Sequence, residues 1–139
     1  MRTRIRTMLS DDSGFSLVEI LVVVIIIGML AAIAIPVFLN QRKKAAASSM
    51  QADLRSVALE METYFINTRV YPTVASASGT VTVGTTLVKL SKGNTIGSTM
   101  TGAVTGTFCL RATNTTVAAG VWYVYDSDKG GLRRASACA

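Results

Sequence analysis

Between Ile20 and Leu39 the chain carries twenty consecutive residues without a charge, "ILVVVIIIGMLAAIAIPVFL". Wound as an α-helix at about 1.5 Å per residue, this run is roughly 30 Å long, the thickness of a bilayer's hydrocarbon core. It restricts the chain to a single-pass membrane protein or an exported precursor. Arg2, Arg4 and Arg6 precede the run, partly offset by Asp11 and Asp12. The positive-inside rule then keeps the N-terminus cytoplasmic and places the C-terminal part outside. Arg42, Lys43 and Lys44, on the far flank, oppose that orientation.

Four zones follow from composition: a charged leader over 1–14, the apolar segment 15–39, a mixed helix-prone segment 40–68, and a tract over 69–139 rich in Thr, Val, Gly and Ser. In the third zone Ala47, Met50, Leu54, Val57, Met61 and Tyr64 or Phe65 recur at helical spacing, while Asp53, Arg55, Glu60 and Glu62 fall off that seam. Between Pro36 and Pro72 this half of the chain has no helix breaker, so both segments are expected to form one helix of about fifty residues, ~75 Å. Tyr71-Pro72 should close it, because the residue before proline resists helical geometry.

The last zone reads as strands: "GTVTVGTTLVKL", "GTFCLRAT" and "GVWYVYDSD", bounded by glycines and by "DKGG". The expected fold is α+β. A long N-terminal helix, membrane-spanning in its first half and amphipathic in its second, would lay its apolar seam on a small antiparallel sheet of three or four strands. Trp122 or its neighbours would pack against that seam.

Cys109 and Cys138 both lie in the part expected to be exported, and the chain has no histidine. A disulfide is favoured there over two buried thiols. Closing that loop would add ~3–4 kcal/mol by chain entropy. The formal charge of +6 permits contact with nucleic acid or anionic lipid without requiring it. Asn114-Thr115-Thr116 matches a glycosylation sequon, a triplet that arises often by chance.

Glu19 is the anomaly. An ionised carboxylate in a bilayer costs roughly 2.5–3.5 kcal/mol on insertion scales, and such acids usually have a partner. The nearest basic residues are Arg6 behind and Arg42 ahead. A secretory signal cut after Ala34, in Ala32-Ile33-Ala34, leaves this acid unexplained. Cutting between Gly14 and Phe15 would instead expose a cationic amine four residues before Glu19. When identical helices stack with an axial stagger, that amine can face the glutamate of the next copy and set the register.

"GFSLVE" followed by "IIIGMLAAIAIP" resembles the class III signal of type IV prepilins and the related type II secretion pseudopilins, over residues 14–36. The resemblance implies a pilin-like fold. Gly14 would precede the cut made by a prepilin peptidase, and Phe15 would become the first residue, N-methylated by the same enzyme. Glu19 would serve subunit recruitment and methylation. Implied partners are further copies in a helical filament, the peptidase and methyltransferase, the cytoplasmic membrane, and an assembly platform with an ATPase. Gly28 with Ala32 allows close helix approach, and Pro36 should kink the helix; in filaments of this family the segment between such a glycine and proline tends to unwind.

The leading expectation is a type IV pilus subunit acting in adhesion, motility or attachment, held in the cytoplasmic membrane before assembly and at the cell surface after it. The alternative is a major pseudopilin. Heads of that branch often hold Ca²⁺ near the C-terminus, for which Asp126 and Asp128 of "DSDKGG" are weak candidates, and a disulfide is less typical of them. A third is a competence pilin binding DNA through Lys129, Arg133 and Arg134 beside Trp122, Tyr123 and Tyr125. No enzyme, cofactor or other metal is expected, since the sequence offers no nucleophile with a base and no phosphate-cradling loop.

Overall fold

The computed structural model describes residues 14–77, 79–100, 106–117, 122–135 and 137–138. The leader up to residue 13, with its arginines and aspartates, lies outside them. A single helix, α1 (Leu17–Thr68, 52 residues), runs through Gly28 and Pro36 without interruption. It ends where Arg69 turns to φ 60° while its N–H still donates to the Phe65 carbonyl at 2.7 Å. This is the left-handed helix cap usually given to glycine. Pro72 then prevents the helix from resuming.

Two compact units divide the chain, one up to Phe38 and one from Leu39 onward. In the first, every large apolar side chain from Phe15 onward is exposed. The second contains the rest of α1 and seven strands: β1 (Val74–Ala77), β2 (Thr80–Val83), β3 (Thr86–Lys89), β4 (Asn94–Met100), β5 (Phe108–Asn114), β6 (Tyr123–Asp126) and β7 (Gly131–Arg134). They form two antiparallel sheets, ordered β1-β2-β3 and β4-β5-β6-β7. The expectation of one sheet with three or four strands is corrected here. "GTVTVGTTLVKL" is a hairpin rather than one strand, because Gly84 at φ 60° opens a two-residue connection that pairs Val83 with Thr86. A Cβ at Gly84 would also run into the Tyr64 ring.

The core joins Met50, Leu54, Val57, Ala58 and Met61 of α1 to Val81 and Val83 of the first sheet and to Ile96, Phe108, Leu110 and Ala112 of the second. Ala47 and Phe65 flank it, so the helical seam lies where its spacing placed it. A chain of rings runs through this core, Phe65 on Tyr71 (4.4 Å between centroids), Tyr71 against Phe108 (4.9 Å) and Phe108 on Tyr125 (5.9 Å). Trp122 is not part of it. The indole is half-exposed, and the Arg111 guanidinium stacks 4.1 Å above its ring. A large amphipathic ring is stable there because it gains a cation–π contact without being fully buried. Its neighbours Tyr123 and Tyr125 do pack on the core.

A second finding concerns Asp53, which falls off the apolar seam yet lies inside. It is only 8% exposed. Its Oδ2 accepts from the Ser91 N–H (2.8 Å) and the Asn94 amide (2.6 Å), and its Oδ1 accepts from the Ser91 hydroxyl (3.0 Å). The Asn94 amide also donates to Ser49 (3.1 Å), and Asn114 donates to the Asn94 side-chain oxygen. This network lets an acid sit inside the helix–sheet interface, since each buried acceptor has donors in place of water.

Candidate functional site

The N-terminal segment is built around one hydroxyl. Gly14, Phe15 and Ser16 are not helical, and α1 begins at Leu17. The Ser16 carbonyl accepts from the N–H groups of Glu19 (3.1 Å) and Ile20 (3.4 Å), while its side-chain oxygen accepts from the Glu19 N–H (3.2 Å). Ser16 is therefore the N-cap, and Glu19 stands at the third helical position. Ser16-Leu17-Val18-Glu19 has the S-x-x-E spacing of a capping box, a local signal carried by the sequence itself. In the first turn a carboxylate also meets the positive end of the helix dipole. The acid thus has a local function within its own chain as well as any function between chains.

From this cap to Leu39 the helix presents bare apolar surface, with Leu17 at 79% and Ile33 at 71% exposure. It is the one helix among the described residues long and apolar enough to cross a membrane. At Gly28 a Cβ would meet nothing within 4 Å, so within one chain its small size serves no contact.

In the C-terminal unit, Cys109 and Cys138 form a disulfide. It lies beside a cavity of about 240 Å³ that Asp126, Asp128 and Lys129 also line. Asp126 is buried, and both its oxygens are engaged: Oδ1 accepts from the Asp128 N–H (3.2 Å) and Oδ2 from Arg133 (3.0 Å). Calcium requires six to eight oxygens, whereas here a guanidinium already neutralises the buried acid. No group of three or more metal-ligating side chains gathers among the described residues. As arranged, "DSDKGG" is a hairpin turn, anchored by Ser127, whose hydroxyl accepts from the Phe108 N–H at 2.8 Å.

The basic trio does not make one patch. Arg133 pairs with Asp126, and Arg134, next along β7, falls on the opposite face of the sheet. The sequon asparagine, Asn114, is 9% exposed, and its amide donates to Asn94 and to the Lys92 carbonyl (3.4 Å). In the folded chain its amide is committed to these bonds.

Residues 9–35 match the family model of the prokaryotic N-terminal methylation motif, which spans Gly14, Phe15, Glu19 and Gly28. This segment therefore carries the prokaryotic N-terminal methylation motif. The chain is also similar to curated type II secretion system core G proteins. Over 62 residues, 45% of this chain, it is 34% identical to the type II secretion system core protein G of Pseudomonas aeruginosa. It is equally similar over 62 residues to the protein of that name from Vibrio cholerae, and 33% identical over 60 residues to that of Escherichia coli. The matched stretch spans less than half of these curated relatives, 44%, 42% and 41% of their lengths.

Proposed function

We propose that the chain is the major structural subunit of a pilus-like filament in a protein secretion machine, the pseudopilin alternative raised by its sequence. The observation that carries this reading is the capped apolar helix, bare from Phe15 to Leu39, in a chain of which 45% is similar to a type II secretion system core protein G. A prepilin peptidase cuts between Gly14 and Phe15 and methylates the new amine. The chain is then held in the cytoplasmic membrane with its C-terminal unit outside, and the apolar helices later bundle into the filament core. Lipid is already apolar, so the hydrophobic effect does not drive this transfer. Packing between helices supplies part of the free energy, and an ATP-driven platform supplies the extraction work.

Deleting the gene in its own host tests the reading. Loss of protein secretion, with surface pili and attachment unchanged, is the expected result. Mass analysis of the native product should find a methylated chain beginning at Phe15. An intact amino terminus, or normal secretion without the subunit, would overturn it.

One pair of observations favours a type IV pilus subunit instead. The C-terminal unit is closed by a disulfide, and Asp126 pairs with Arg133 where a pseudopilin's calcium acids are expected. That reading predicts no shift in melting temperature on calcium addition, and loss of surface filaments rather than of secretion in the deletion strain.

A further inference from the structure

Arg42, Lys43 and Lys44 have no part in the function proposed above, although they stand on the flank where the positive-inside rule disfavours them. The structure gives Arg42 a place. With Ser49 of α1 and with Ser91, Lys92, Asn114 and Thr116 it lines an open cleft of about 310 Å³ within the C-terminal unit. Among the described residues, no acid lines this cleft. Among the described residues, neither Arg42 nor Lys92 makes an ion pair.

We infer that this cleft binds the phosphodiester of an anionic phospholipid headgroup while the subunit waits in the bilayer, an inference that rests on the membrane-held stage proposed above. Arg42 stands three residues past Leu39, where the uncharged run ends. That is about 4.5 Å further along the helix, the depth at which headgroups begin. Ser49 is seven residues beyond Arg42 and so on the same side of α1.

Lys92 is held across from them. It is the second residue of a turn closed by the Asn94 N–H donating to the Ser91 carbonyl (3.0 Å), with Gly93 at φ 82° in the third position. Asp53 clamps Ser91 and Asn94 onto α1, and Asn114 donates to the carbonyl of Lys92 itself. The buried network therefore fixes the backbone that carries one cation relative to the helix that carries the other. Two cations carried on held backbone and the Thr116 hydroxyl, without a competing carboxylate in the described lining, suit a phosphodiester. An acid of another copy or a nucleic-acid phosphate would satisfy the same charges, but the position at the end of the membrane run favours lipid.

The test uses the full chain in bilayer nanodiscs of phosphatidylcholine with and without phosphatidylglycerol, with retained lipid read by native mass spectrometry. Phosphatidylglycerol should be retained in preference. Arg42→Gln and Lys92→Gln should each lower that preference roughly fivefold, and the pair roughly thirtyfold. Arg55→Gln, the same charge change at an exposed residue of α1 outside the cleft, should leave it unchanged. Equal retention of both lipids, or an equal effect of Arg55→Gln, overturns the inference. So does displacement of phosphatidylglycerol by inorganic phosphate at matched concentration, which would mark a free-phosphate site, or selective loss of preference for lipid in the presence of oligonucleotide. If alkaline carbonate strips the chain from membranes, the membrane-held stage itself is wrong and the inference falls with it.

Discussion

Asp53→Ala is the most informative perturbation of the C-terminal unit. Three donors point at this carboxylate, which is 8% exposed: the Ser91 N–H at 2.8 Å, the Ser91 hydroxyl at 3.0 Å and the Asn94 amide at 2.6 Å. The hydroxyl belongs to a half-exposed residue and can turn toward water. The Asn94 amide keeps its bond to Ser49. The Ser91 N–H and the second Asn94 contact are then the groups left stranded. At about 1–3 kcal/mol for each buried group without a partner, discounted for the bond that Asn94 keeps, the loss is about 2–4 kcal/mol. Asp53→Asn retains one acceptor but turns an NH₂ toward a donor, so it should cost about 1–2 kcal/mol. Ser91→Ala removes one bond and leaves the carboxylate with its other partners, about 1 kcal/mol.

The chain has a single tryptophan, Trp122, and its indole under Arg111 reports on the folded strands. Urea unfolding of the detergent-solubilised chain, followed by its fluorescence, gives each difference from the shift in midpoint at constant slope. The expected order of loss is Asp53→Ala, then Asp53→Asn, then Ser91→Ala. An Asp53→Ala variant within about 0.5 kcal/mol of the parent would show that water replaces the network freely and that the acid is not structural.

Other substitutions test other joints. Arg69→Gly should stabilise the same transition by about 0.5–1 kcal/mol, because a left-handed cap at φ 60° suits glycine; a loss would mean that the Arg69 side chain makes an essential contact. Cys138→Ser should cost ~3–4 kcal/mol by opening a loop between residues 29 apart, and reduction of the parent should match it. Burial first, and then the hydrogen bond and charge of Glu62, raise the Tyr71 phenol above its ordinary 10.0. The unfolded chain releases that proton near pH 10 while the folded one still holds it. This contribution to stability is therefore full below pH 10 and is lost as pH climbs through the folded value. Tyr71→Phe should flatten the alkaline decline in stability, and an unchanged slope above pH 10 would sink the assignment.

The parts of this fold that were legible in sequence are those where one physical signal acts alone. Ala47, Met50, Leu54, Val57 and Met61 mark the buried seam because apolar spacing has no competitor in a helix that must cover a sheet. Asp53 defeats the same pattern. A charge reads as exposed by default, and the donors that reverse the default, Ser91 and Asn94, come from 38 and 41 residues away. The strand β4, "NTIGSTM", was not visible because it has few apolar residues; its place depends on pairing with β5. At the N-terminus, by contrast, the S-x-x-E cap was fully local and readable. Beside it, the apolar run gives Glu19 a second signal, a membrane one, that masks the first.

Those two explanations of Glu19 can be separated. A carboxylate in the first turn gains about 0.3–1 kcal/mol from the helix dipole at an exposed site. An ionised carboxylate at the bilayer centre costs roughly 2.5–3.5 kcal/mol on insertion scales. Capping therefore lowers the penalty without removing it, and the remainder requires a cation. On the proposed reading that cation is the amine released at Phe15, belonging in the filament to a neighbouring copy. Glutamine can occupy the third position of a capping box but carries no charge. If Glu19 only starts the helix, Glu19→Gln will assemble like the parent, and Glu19→Ala will show a partial defect. If it sets the register between copies, both variants should be cleaved and retained in the membrane yet fail to enter filaments, as read by shearing and fractionation of cells. Normal filaments from Glu19→Gln would leave the helix cap as the whole function of this acid.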